Sequence, residues 1–148
     1  HRAALILITG DPGSGKGPLA RKLEHSLFQN NFQSYLLDRR NVNLGVSADL
    51  RSSEEESARR LGEVAKLFLD AGHVVISTSN AFHREDQEDL KLLANPYQVI
   101  EVQVSSKPAG EPDILLSLDE AQNAVEASSK IQNFLKEKKI LMGHNYSI

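Results

Sequence analysis

Gly10-Asp11-Pro12-Gly13-Ser14-Gly15-Lys16-Gly17 is the stretch from which the rest of the chain can be read. It carries the spacing G-x-x-x-x-G-K from Gly10 to Lys16, after the apolar run Ala3-Ala4-Leu5-Ile6-Leu7-Ile8 and before an amphipathic segment that starts near Pro18. A glycine-rich turn between a strand and a helix aims successive backbone N–H groups at an anion. A lysine at its end reaches the terminal phosphates of a nucleotide. Gly10, Asp11, Pro12, Gly13, Ser14, Gly15, Lys16 and Gly17 are therefore the candidate phosphate-binding residues. The last position departs from the pattern, because a Ser or Thr hydroxyl that would hold magnesium is replaced by Gly17. Pro18 also removes an N–H close to the phosphates, and Asp11 adds a negative charge beside them. The plainer alternative is a strand-to-helix turn that kept its shape without its ligand.

Outward from the loop, strands and helices alternate. Ala3–Thr9 reads as a buried strand, apolar on both faces. Pro18 to about Phe28 reads as a helix with Leu19, Leu23 and Leu27 on one face, and Pro18 is tolerated in its first turn. Asn30-Asn31 ends it, and Ser34–Leu37 is a second strand. Ser53-x-x-Glu56 has the form of a capping box opening a helix to Asp70, with Ala58, Leu61, Ala65 and Phe68 as its apolar stripe. His73–Ser77, Tyr97–Val104 and Ile114–Leu116 read as further strands, with a helix over Arg84–Ala94 stopped by Asn95-Pro96. Ser117-x-x-Glu120 heads one last helix whose core face is Ala121, Ala124, Val125, Ile131 and Leu135. The alternation predicts an α/β fold: a three-layer sandwich of the P-loop nucleoside-triphosphate-hydrolase kind around a five-stranded, mainly parallel sheet. One domain is expected over residues 1–142, with a loose tail over 143–148.

At 148 residues the chain is long enough for one core. With 40% hydrophobic residues, 25% charged and a net charge of −3, it has the composition of a soluble globular protein and no basic footprint for nucleic acid. Zero Cys excludes disulfides, thiolate metal sites and a cysteine nucleophile, and suits a cytoplasmic location. No apolar run approaches the roughly 20 residues a membrane helix needs. The start at His1 rather than Met reads as a domain cut, or trimmed, from a longer polypeptide.

Beyond the loop, the chain resembles the adenylyl-sulfate (APS) kinases. Arg59-Arg60-Leu61-Gly62-Glu63-Val64-Ala65-Lys66-Leu67-Phe68, followed by Asp70-Ala71-Gly72 and Val74-Val75-Ile76, looks like that family's arginine-pair helix and the strand after it. Leu36-Leu37-Asp38 followed by Asn41-Val42 is similar to the family's L-L-D-G-D-N-V segment, and Arg84 falls where the family has an arginine after its third strand. The resemblance runs, with gaps, from about Leu5 to Leu135. It implies transfer of the γ-phosphate of ATP, with magnesium, to the 3′-hydroxyl of adenylyl sulfate. It also implies a sulfate adenylyltransferase component as a partner, in the same chain or another. Asp38, Arg40, Asn41, Arg59, Arg60 and Arg84 become possible substrate or anion contacts.

The departures from the family gather where the chemistry would be. Besides Gly17, Arg39 and Arg40 replace the glycine and second aspartate of the D-G-D-N segment, and a cation can neither orient a metal-bound water nor accept a proton. Asn43 and Leu44 replace an arginine and a histidine. Leu50 runs directly into Arg51-Ser52 where the family has a glycine–phenylalanine step that stacks on adenine, and Ser57 replaces a substrate-contacting asparagine. Ala81 stands at a serine position. Ser105 to Glu111 is all that connects Val104 to Pro112-Asp113-Ile114, where the family has a long basic lid. Loss of one preorganised contact costs on the order of 3 kcal/mol, about a hundredfold in rate.

Three readings follow: an APS-kinase-like nucleotide-binding domain with impaired or lost catalysis and a regulatory or assembly role; an active APS kinase; and a structural module with an empty loop. The first predicts weak ATP binding with little magnesium dependence. No residue is assigned a catalytic role and no metal-ligating cluster is expected. Arg59 and Arg60 have a plainer reading as partners of Glu55, Glu56 or Glu63. Phe28, Phe32, Phe68 and Phe134 read as core or edge packing.

Overall fold

The computed structural model describes residues 2–37, 54–79, 84–107 and 109–141, with the backbone alone for 54–58 and 84–87. Its elements are β1 (Ala4–Gly10), α1 (Lys16–Gln29), β2 (Ser34–Leu36), α2 (Glu54–Asp70), β3 (Val74–Ser79), α3 (Arg84–Ala94), β4 (Gln98–Val104), β5 (Ile114–Leu116), α4 (Leu118–Gln122) and α5 (Ala124–Glu137). The strands form one sheet in the order β2-β3-β1-β4-β5, and every neighbouring pair is parallel. The expected five-stranded α/β sandwich is the fold.

The central strand explains the layers. All of β1 is buried, and its side chains alternate between two cores. Ala4, Ile6 and Ile8 join Leu19, Leu23 and Leu27 of α1 and Ile131 and Leu135 of α5. Leu5 and Leu7 join Leu61, Ala65 and Leu69 of α2 and Leu90 and Ala94 of α3. A strand covered on both faces has no polar side to show, which is why its sequence reads as an unbroken apolar run. Between β3 and β4, with Thr9 opposite Ser79 and Gly10 opposite Val104, β1 delivers the glycine loop to the middle of the sheet's C-terminal edge. In open α/β sheets that edge, at the strand where the connections reverse direction, is where ligands bind.

Four expectations need correction. Helix α1 begins at Lys16 rather than Pro18, because Gly15 already turns the chain into it. Pro18 still lies in the first turn, where its missing N–H costs no internal bond. Strand β3 continues to Ser79, which is buried. The last helix is two helices: Asn123 ends α4 with non-helical angles and caps α5 by accepting a hydrogen bond from the Glu126 N–H at 3.2 Å. That break rotates the apolar face, so Val125 is 59% exposed while Ala127, Ser128, Ile131 and Leu135 are buried. Phe28 is 74% exposed, one residue off the Leu19, Leu23, Leu27 stripe, whereas Phe32 is buried, Phe134 packs against the first core and Phe68 stacks on Tyr35 with ring centroids 4.2 Å apart. The capping serine expected at Ser53, the stripe residue Ala58 and the tail after residue 142 lie outside the described residues.

The cap at Ser117 has the expected form. Its hydroxyl accepts from the Glu120 N–H at 3.1 Å, and the Glu120 carboxylate accepts from the Ser117 N–H at 3.0 Å. The bond from the Ser117 N–H first, and then one from the Lys130 ammonium at 3.3 Å, hold the Glu120 carboxyl below its usual range. A depressed carboxyl pKa stabilises the fold above the unfolded-state pKa and loses that effect as pH falls through the folded value. Ser117→Ala should cost about 1 kcal/mol in a denaturant titration at neutral pH. Glu120→Gln should flatten the acid limb of the stability profile, and an unchanged acid limb would show that the carboxylate contributes nothing there.

Candidate phosphate-binding site

The loop is built by local backbone chemistry. The Ser14 N–H donates to the Asp11 carbonyl at 3.1 Å, closing a turn over Pro12 and Gly13, where Gly13 has φ +83°. Gly15 follows in the left-handed region at φ 97°, ψ 5°, and any L side chain there would be strained. A Cβ at Gly15 would also meet the Ala121 carbonyl oxygen at 3.4 Å and Gln122 Nε2 at 3.5 Å, so α4 lies against the loop. Gly10 is required by close approach instead: a Cβ there would lie 2.6 Å from Ser14 Oγ and 3.0 Å from the Val104 carbonyl oxygen. Ser14 is buried at 4% exposure, and its hydroxyl has no hydrogen-bond partner.

Helix α1 presents an open end to this loop. No side chain caps it and its first turn holds no acidic residue. Its first N–H groups have no intrahelical acceptor, and the helix dipole adds a partial positive charge at the same end. Lys16 folds back, its Nζ donating to the Asp11 carbonyl at 3.3 Å. Partial burial lowers the Lys16 pKa, an effect the nearby Asp11 carboxylate opposes. The charged ammonium is thus under-solvated where a phosphate oxygen would relieve it. Asp11, Pro12 and Gly13 are exposed and Lys16 and Gly17 half-buried, so the loop is open from outside.

Position 17 itself offers a magnesium ion no side-chain oxygen. A Cβ at Gly17 would come within 3.6 Å of Arg21 Nη1 and 4.0 Å of Nη2, so the guanidinium lies against this position. Among the described residues no group of three His, Asp or Glu is placed to hold a metal ion.

The eight loop residues lie together at the end of β1 and the start of α1. Arg59, on α2, pairs with Glu63 at 2.9 Å in an exposed i,i+4 bridge. Arg60 is half-buried on the same helix. Arg84 opens α3, with its side chain outside the described residues, as are Asp38, Arg39, Arg40 and Asn41.

Four neighbours of the loop escaped sequence reasoning: Arg21, Val104, Ala121 and Gln122. The last three are about a hundred residues away along the chain, and spacing carries no signal for such contacts. The connection after β4 is fastened back onto its own strand. Gln103 donates from Nε2 to the Ala109 carbonyl at 3.0 Å and accepts from the Ala109 N–H at 2.9 Å. Beside it a cleft of about 570 Å³ opens from Gly10 and Asp11 toward Glu88 and Lys91 of α3 and Glu101 of β4, where Lys91 and Glu101 pair at 2.7 Å.

Comparisons with known proteins agree with this architecture. Residues 2–111 match the family model described as adenylylsulphate kinase. The adenylyl-sulfate kinase of Geotalea daltonii is 42% identical over 108 residues, covering 71% of this chain and 53% of that protein. That of Shewanella pealeana is 47% identical over 105 residues, covering 69% and 51%. The chain thus spans about half the length of the curated relatives it matches. In solved structures, the APS kinase CysC of Mycobacterium tuberculosis superposes with a TM-score of 0.84 at 27% identity, covering 91% of this chain and 98% of that one. An alignment covering 91% of the chain takes in part of the segment beyond residue 111, where the family model stops. No helix among the described residues is long and apolar enough to cross a membrane. With a family model matched over most of its length and relatives above 40% identity, the chain belongs to the adenylylsulphate kinase family.

Proposed function

We propose that this chain is a nucleotide-binding domain of sulfate activation that holds the phosphate tail of an adenine nucleotide while phosphoryl transfer is impaired, leaving a regulatory or assembly role. The observation that carries the reading is position 17. The cradle for phosphate is intact, from the left-handed Gly15 to the uncapped α1 and the under-solvated Lys16, but the residue that should recruit the metal has no side chain. Loop amides and Lys16 orient an anion without a metal. Charge neutralisation during transfer needs more than that. Arg40 in place of a carboxylate, the missing aromatic near Leu50 and the short connection after Val104 point the same way.

The active-kinase reading draws on the relatives named adenylyl-sulfate kinase at 42% and 47% identity, and on a related Mycobacterium tuberculosis APS kinase solved with AMPPNP and APS. A sulfate adenylyltransferase component is the partner proposed for the assembly role.

Titrating ATP and adenylyl sulfate into the chain, with and without magnesium, separates the readings. Weak ATP binding that survives a chelator supports the proposal. Tight binding that collapses on chelation supports an active kinase, and no binding of either nucleotide supports an empty structural loop.

A further inference from the structure

We propose that the Arg21 guanidinium takes the place of the divalent cation at this loop and binds the terminal phosphates of a nucleoside triphosphate directly, so that the chain prefers the metal-free nucleotide. The inference rests on the nucleotide-binding reading above and adds a residue and a ligand form to it. Residues four apart share a helix face, and helical side chains lean toward the N-terminus. Arg21 therefore reaches back over Gly17, and both its terminal nitrogens lie within 4.0 Å of where a Gly17 Cβ would be. A side chain at 17 would begin in van der Waals contact with this guanidinium, and glycine places none there.

The charge on Arg21 is available. The residue is exposed, and among the described residues it pairs with no carboxylate. Helix α1 has no acidic residue in its first turn to compete for it. A guanidinium is always charged, and its planar fork matches two phosphate oxygens at once. With Lys16 on the loop side and Arg21 on the helix side, two cations flank the open end of α1. A magnesium ion riding on the nucleotide would occupy the oxygens Arg21 needs and would be repelled by its fixed charge.

The test is calorimetric titration of ATP into the unmodified chain, Arg21→Gln, Arg21→Lys and Lys16→Ala, each with a chelator and again with excess magnesium. The unmodified chain should bind free ATP about tenfold more tightly than the magnesium complex, the worth of one charge-assisted contact. Arg21→Gln should bind free ATP about tenfold more weakly and lose the preference, and Arg21→Lys should fall between. Thermal midpoints of the Arg21 variants, at an exposed site, should match the unmodified chain, so that lost binding is not lost folding. If Arg21→Gln binds free ATP as the unmodified chain does while Lys16→Ala does not, the role of Arg21 is overturned and the nucleotide-binding reading stands. If the unmodified chain binds no ATP, both fall.

Discussion

Lys16→Ala should weaken ATP binding by about 10- to 150-fold, the range of one hydrogen bond between charged groups. The ammonium lies beside the uncapped end of α1 and is held by one bond, to the Asp11 carbonyl. Its lowered pKa records the cost of partial burial of the charge. A polyphosphate supplies the counter-charge that burial withholds, so Lys16 contributes more when nucleotide is bound than when it is absent. Removing it should leave stability unchanged or slightly raised, because an under-solvated charge disappears. Equilibrium titration measures the first effect and a thermal melt the second. Unchanged ATP affinity would remove Lys16 from the binding site.

The second large effect is on the scaffold. Leu23→Ala should destabilise the chain by about 2–5 kcal/mol, which in a domain of this size lowers the thermal midpoint by roughly 5–20 °C. Leu23 is fully buried with Leu19 and Leu27 between α1 and the sheet. Truncating it leaves a cavity under the helix whose first turn forms the phosphate site. Phe28 is the control on the same helix: at 74% exposure, Phe28→Ala should change stability by no more than about 0.5 kcal/mol. Equal effects of the two substitutions in differential scanning calorimetry would contradict the packing described for α1.

Where the chemistry was local, the sequence sufficed. An apolar run buried on both faces, two positive-φ glycines and a leucine stripe every four residues determine β1, the loop and α1 between them. The capping box at Ser117 was equally readable, because its two hydrogen bonds join residues three apart. The break at Asn123 left a signal too: an asparagine three residues before Glu126 is a helix-start pattern. Helical spacing of Ala121, Ala124 and Val125 concealed it, and the true core face had to come from packing against α1.

The surroundings of the loop were not legible. Val104 and Ala121 limit Gly10 and Gly15 only because β4 and α4 return to the loop in space. Arg21 had no motif to mark it, and its position over Gly17 follows from a side chain leaning along a helix. Fastening of the connection after β4 by Gln103 depends on a side chain meeting a backbone in three dimensions.

The proposed impairment of phosphoryl transfer, with Gly17 as one part of it, is tested most directly by the rate of 3′-phosphoadenylyl sulfate formation. With saturating ATP and adenylyl sulfate and excess magnesium, the unmodified chain should form no more than a trace of product. Under that proposal Gly17→Ser should not repair it, because one hydroxyl leaves Arg40, the Leu50-Arg51 step and the connection from Ser105 to Glu111 unchanged. Turnover by the unmodified chain in the usual enzyme range of about 1–1000 per second would contradict the account, as would recovery of that range by Gly17→Ser alone.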